Sequence, residues 1–238
     1  LKLTTNNRQL TTKQIMANLK EIRGRITSIS STMQITSAMK MVSAAKLKKA
    51  QDAIVMLRPY SEKLQEIIQN VSASSDSENV SVFAQKREVK KVLIIAVTSN
   101  RGLAGAFNSS IVKELNHKIA ATPLEVEVLT IGKKVFDAVK KSRTVYDNQS
   151  AIFDHMSFEA VSKVSSKVMK AFKEGQFDEV YLIYNKFINA ATQEVKTEQL
   201  LPIEMPENTG IVANSDYIFE PSRIEIIESL IPKSIKTQ

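Results

Sequence analysis

The stretch from Met16 to Arg58 contains no proline and one glycine, Gly24, over a length several times that of an ordinary globular helix. Its apolar residues Leu19, Ile22, Ile26, Ile29 and Met33 are spaced alternately by three and four. After a phase shift, Leu47, Ala50, Ile54 and Leu57 repeat that alternation. Such a pattern is the seam of a coiled coil rather than the stripe of a simple surface helix. At 1.5 Å per residue the segment is about 64 Å long. A globule of roughly 125 residues, which the rest of the chain could form, has a width under about 40 Å. A helix of this length is therefore expected to project from the body and to need a partner for its seam.

Charge sharpens that expectation. Of the net +8 carried by the chain, much sits on this helix. Lys20, Arg23, Arg25, Lys40, Lys46, Lys48, Lys49 and Arg58 are opposed only by Glu21 and Asp52. From Thr27 to Met39 there is no charge at all. A solvated face accounts for most charge runs. Here the excess flanks an apolar seam on a projecting rod, which points to an acidic protein groove. Basic-region helices that read DNA carry a denser run of arginine and lysine. A basic coiled-coil adaptor for nucleic acid stands as the alternative reading.

Other classes are narrowed by composition. No stretch approaches eighteen uninterrupted apolar residues, so no membrane-spanning helix is expected. The chain has no cysteine, which removes disulfides and thiolate metal sites. Its two histidines, His117 and His155, form no catalytic spacing, and no serine sits in a nucleophile elbow. No enzymatic chemistry, metal or cofactor is expected. Residues 1–15 hold Lys2, Arg8 and Lys13 without an acid, and are set apart as a leader or non-native segment before Met16.

Pro59 is expected to bend or interrupt the helix, and Leu64, Ile67, Ile68 and Val71 resume its spacing. The shaft helix is placed at 16–72, a polar linker at 73–87, and an α/β domain at 88–207. In that domain, residues 92–97 form a continuous apolar run that reads as a buried strand. The loop Ser99-Asn100-Arg101-Gly102-Leu103-Ala104-Gly105 follows, with Asn108 or Ser109 capping a helix to about Ala120. Further strands are expected at 126–131 and 180–184, helices at 133–141 and 157–173, and an edge strand at 192–201. Residues 208–238 are a connection and the start of a last helix, capped by Ser222 and carrying Ile224, Ile227 and Leu230. The glycine loop satisfies neither G-x-G-x-x-G nor the P-loop pattern, so a tight turn is expected instead of a phosphate cradle.

These residues carry a resemblance. Ile22-x-x-Arg25-Ile26-x-Ser28-Ile29, then Gln34-Ile35-Thr36-x-Ala38-Met39-x-Met41-Val42-x-Ala44-x-Lys46-Leu47, resembles the N-terminal helix of the F-type ATP synthase gamma family. Arg58-Pro59-Tyr60, the Ser99 to Asn108 loop, Tyr184 to Asn189, Leu200-Leu201-Pro202 and Phe219-Glu220-Pro221 match the family in order. Asn100 stands where an aspartate is usual, and MANLKEIR from Met16 resembles a bacterial start. The resemblance implies a long coiled-coil helix plus a Rossmann-like α/β domain. It also implies a C-terminal partner helix, most of which lies beyond Gln238, so the chain reads as C-terminally truncated.

By that resemblance the protein is a non-catalytic rotor shaft of a proton-translocating ATP synthase, with no cofactor. Its partners would be the alpha and beta subunits of the catalytic hexamer, the epsilon subunit and the c-ring. Membrane association would be only through the complex, at the cytoplasmic face of a bacterial inner membrane, with the mitochondrial inner membrane as second choice. Gln34, Met39, Lys40 and Lys46 are expected to face the stator, and Phe219 and Glu220 to lie at the rotor foot.

Overall fold

The computed structural model describes residues 4–73, 81–189, 192–203 and 223–237. The first element, α1, is one continuous helix, Thr4–Ala73. It takes in the residues set apart as a leader, and it passes through Pro59 without a break. Proline there removes one backbone donor, so one carbonyl in the preceding turn loses its partner. The surrounding residues, among them Val55 and Tyr60, are exposed, and water can take that donor's place. The expected interruption does not occur.

Two compact units divide the chain, residues Leu1–Tyr60 and Ser61–Gln238. The first holds α1 as far as Tyr60. The second contains a sheet of β1 (Lys91–Val97), β2 (Glu125–Ile131), β3 (Val145–Asn148), β4 (Glu179–Phe187) and β5 (Gln193–Leu201), in the order β3-β2-β1-β4-β5. All neighbours are parallel except β4 and β5. The edge strand expected at 192–201 is therefore found, antiparallel and at the rim.

Helices cover both faces, which is why β1 is apolar without alternation. Val92, Ile94 and Ala96 point toward Ile111 and Leu115 of α2 (Phe107–Ala121) and Val135 and Val139 of α3 (Lys133–Val139). Leu93 and Ile95 point the other way, into Val168, Met169 and Phe172 of α4 (Phe158–Lys173) and Ile231 and Ile235 of α5 (Arg223–Thr237). Ser157 caps α4 by accepting the Ala160 N–H at 3.2 Å, and Gly175 at φ +74° ends it. On α5 Ile231, Ser234 and Ile235 are buried and Leu230 is half-buried, while the side chains of Ile224 and Ile227 lie outside the described residues. The expected cap, Ser222, lies outside the described residues.

Within the second unit, Leu64 and Ile68 are buried and Ile67 packs against the α4 side of the core. Residues 81–87, polar enough to read as linker, pack as well. Phe83 stacks on Phe172 with ring centroids 6.5 Å apart. Arg87 Nη2 donates to the carbonyls of Phe172 (2.8 Å) and Phe177 (3.3 Å), and its guanidinium lies 4.4 Å from the Phe172 ring centre. That arginine ties the end of α4 to the segment that follows it, adding a donor to the Phe172 carbonyl that Gly175 N–H also meets at 3.1 Å.

Candidate functional site

Along α1 the described side chains from residue 18 to Tyr60 are exposed, with Gln51 alone half-covered. The seam residues Ile26, Ile29 and Met33 keep 61%, 69% and 65% of their surface in water. Among the described residues of this unit nothing covers them. The uncharged section is made smoother by its hydroxyls, which turn back on the helix. Thr27, Thr32 and Thr36 donate to the carbonyls of Arg23, Ser28 and Thr32 at 3.0, 2.9 and 2.8 Å. Each bond leaves its hydroxyl satisfied by the helix itself.

The four expected stator-facing residues are all exposed, but they do not share a face. Met39 and Lys46 lie a heptad apart and therefore on one side of the helix. Lys40 stands a heptad after Met33, on the seam line, where it shares a shallow groove with Ile29, Thr32, Met33, Thr36 and Ser37. At about 100° per residue, Gln34 falls on the flank opposite Met39. Spacing along the chain suggested a cluster; helical rotation spreads it around the rod. Among the described residues Lys40, Lys46, Lys48, Lys49 and Arg58 have no ion-pair partner, whereas Arg25 meets Glu21 at 2.7 Å and Lys63 meets Glu66 at 2.7 Å. Phe219 and Glu220 lie outside the described residues.

The glycine loop leaves the C-terminal end of β1, where the sheet's winding reverses between β1 and β4. Ligands gather at such positions in doubly wound sheets. Here the donors are taken by the protein. The first three N–H groups of α3 go to Asn100 Oδ1 (2.8 Å), the Ser99 carbonyl (3.3 Å) and Thr98 Oγ1 (3.0 Å). The Ser99 N–H goes to Asn108 Oδ1 at 2.9 Å, and Asn108 Nδ2 donates to the Arg101 carbonyl at 3.1 Å. Asn108 is thus a loop staple inside α2, not its cap; the cap position is Ala106, without a side-chain bond. Leu103 at the tip has φ +59° and is fully exposed. The loop is a turn stapled at its base, and the groups named are engaged within the protein.

His117 and His155 are both exposed. Among the described residues no group of three or more His, Asp or Glu could hold a metal ion, and no helix is long and apolar enough to cross a membrane. Sequence reasoning missed β3 and the two residues that lock local structure, Arg87 and Asp147. Asp147 on β3 accepts from Lys167 of α4 and from Gln149 Nε2 at 2.7 Å. Burial pushes its carboxyl up, but the bonds from Lys167, Gln149 and the Asn148 N–H outweigh that and hold it below the usual range.

The described residues thus form a long exposed helix joined in sequence to a doubly wound domain, an architecture that offers surfaces for partners. The family model described as ATP synthase matches residues 18–238. The ATP synthase gamma chain of Flavobacterium psychrophilum is 55% identical over 224 residues, covering 94% of this chain and 78% of the relative. That of Cytophaga hutchinsonii is 46% identical over 233 residues, covering 94% and 79%. The central stalk and c-ring structure of the Tetrahymena thermophila mitochondrial ATP synthase holds a chain of the same fold, with a TM-score of 0.57 at 22% identity. That match covers 85% of this chain and 90% of the other. The chain belongs to the ATP synthase gamma chain family, the non-catalytic rotor subunits in the central stalk of F-type ATP synthase. The nucleic-acid adaptor reading gives way to this assignment.

Proposed function

We propose that residues 16–72 act as a shaft inside the alpha/beta hexamer and that the α/β domain, residues 88–207, acts as the foot toward the epsilon subunit and the c-ring. Residues 73–87 join the two, and residues 208–238 lead into the partner strand of the coiled coil. Rotation of the ring turns the shaft, and its uneven surface drives each catalytic site through its binding states in turn. Met39 and Lys46 face the stator from one side of the helix, Gln34 from another, and Lys40 from the seam. Phe219 and Glu220 belong to the foot. The subunit is held at the bacterial inner membrane, on its cytoplasmic face, only by its partners.

One observation carries this reading. Five cations, Lys40, Lys46, Lys48, Lys49 and Arg58, stand unpaired among the described residues on an exposed helix, directly after a section without charge. A smooth uncharged section followed by exposed cations fits a shaft that passes through a sleeve and meets acidic groups beside it.

Because the chain has no cysteine, Met39→Cys or Lys46→Cys supplies a unique thiol. In the assembled ATPase-active complex, a short thiol-to-amine cross-linker is expected to join either position to alpha or beta. Active complex with cross-links only within the stalk would overturn the reading.

A further inference from the structure

Asn100 uses both ends of its amide. Its Oδ1 accepts the Lys133 N–H at 2.8 Å, at the start of α3, and its Nδ2 donates to the Ser150 carbonyl at 2.9 Å, at the start of the Ser150–Phe153 3₁₀ turn. The orientation is forced, since a backbone N–H needs an acceptor and a carbonyl needs a donor. Thus one side chain joins three segments at the C-terminal end of the sheet: the glycine loop, α3 and the turn after β3. Two of these carry exposed apolar tips, Leu103 on the loop and Phe153 on the turn. The loop is independently stapled by Asn108, and Asn185 Nδ2 of β4 donates to the Phe107 carbonyl behind it at 2.8 Å.

We propose that Asn100 is a positioning residue that makes the Leu103 loop and the Phe153 turn a single stiff unit. The start of the turn is also tied by the Gln149 N–H to the Thr130 carbonyl at 2.8 Å and the Ser150 N–H to Asn148 Oδ1 at 3.2 Å, and its far end rests on internal bonds. Its internal bonds are Ile152 N–H to the Gln149 carbonyl at 3.2 Å and Asp154 N–H to the Ala151 carbonyl at 3.0 Å. Four residues of 3₁₀ helix contribute little order of their own. The role rests on the stalk reading for its use: a body that transmits torque works only if its surface segments do not yield under load. In this chain the amide serves both partners, whereas the aspartate usual at this position could accept from Lys133 but would set a second oxygen against the Ser150 carbonyl.

Hydrogen exchange in the full chain tests the joint through its chemistry. In Asn100→Asp at neutral pH, protection of the Ile152 and Asp154 amides is expected to fall about tenfold, one hydrogen bond's worth, while the Lys133 amide keeps its protection. As pH falls through the introduced carboxyl's pKa, about 4, the neutral acid regains a donor and the turn's protection factors recover. Asn100→Ala loses protection at Lys133 as well, at every pH. Wild-type protection in Asn100→Asp at neutral pH, or a loss that acid does not reverse, would overturn the proposal. Failure of the stalk reading is separate, since it shows as missing cross-links to alpha and beta while this exchange pattern stands.

Discussion

Asn108 Oδ1 accepts the Ser99 N–H at 2.9 Å across the base of the glycine loop, so the first turn of α2 fixes the exit of β1. The same amide holds the Arg101 carbonyl at 3.1 Å, and between these anchors Leu103 is kept at φ +59°. A branched side chain there costs about 1–3 kcal/mol of backbone strain, which the staple must outweigh. Asn108→Ala is therefore expected to lower unfolding free energy by about 1–3 kcal/mol in urea titration. In the same variant, exchange at the Ser99 amide should rise.

Two glycines should respond in opposite directions to alanine. At Gly132, φ is +113° and an added Cβ would lie 2.1 Å from the Thr98 carbonyl oxygen, backbone that also pairs β1 with β2. Gly132→Ala is expected to cost about 3 kcal/mol or more, visible as a large fall in Tm. Gly24 has nothing within 4 Å and sits in mid-helix, so Gly24→Ala should raise helicity and gain about 0.5–1 kcal/mol.

Arg87→Ala removes two bonds to the Phe172 and Phe177 carbonyls and a cation over the Phe172 ring. The expected loss is about 2–3 kcal/mol by chemical denaturation. Arg87→Lys should not restore it, because a point ammonium cannot serve both carbonyls and the ring together.

The Asp147–Lys167 pair predicts a pH window. Asp147 titrates below its ordinary value in the folded chain, so its contribution is complete above about pH 4 and is lost as pH falls through the folded value. Lys167 is raised, chiefly by its bond to Asp147, so its share is complete below the ordinary lysine value of 10.5 and is lost as pH rises through the folded one. Lys167 is half exposed, which limits the pair to about 1 kcal/mol. Asp147→Asn should therefore lower Tm by about 2–4 °C at pH 7, with the gap closing in acid.

The parts of this fold legible in the sequence are those with long uninterrupted patterns. The α1 seam, the apolar runs of β1, β2 and β4, and the stop at Gly175 all announce themselves. β3 does not, because Val145-Tyr146-Asp147-Asn148 is a short strand with two polar residues, held by register with β2 and by Lys167. Asn108 was misread because an asparagine beside a helix start serves equally as cap or as staple, and only the distant Ser99 partner decides. Pro59 misled because a proline breaks a buried helix more surely than an exposed one. Of the shaft site, residue types were legible, but their faces required the helix to be counted through its turns.

On the shaft reading, the cations of α1 from Lys40 to Arg58 transmit torque against an acidic stator. The direct test is ATP-driven proton pumping by reconstituted F-type complex carrying Lys40→Glu and Lys46→Glu in this subunit. The expected result is a complex that assembles and hydrolyses ATP but pumps several-fold fewer protons per ATP than wild type. Wild-type pumping per ATP in the assembled double variant would contradict the claim.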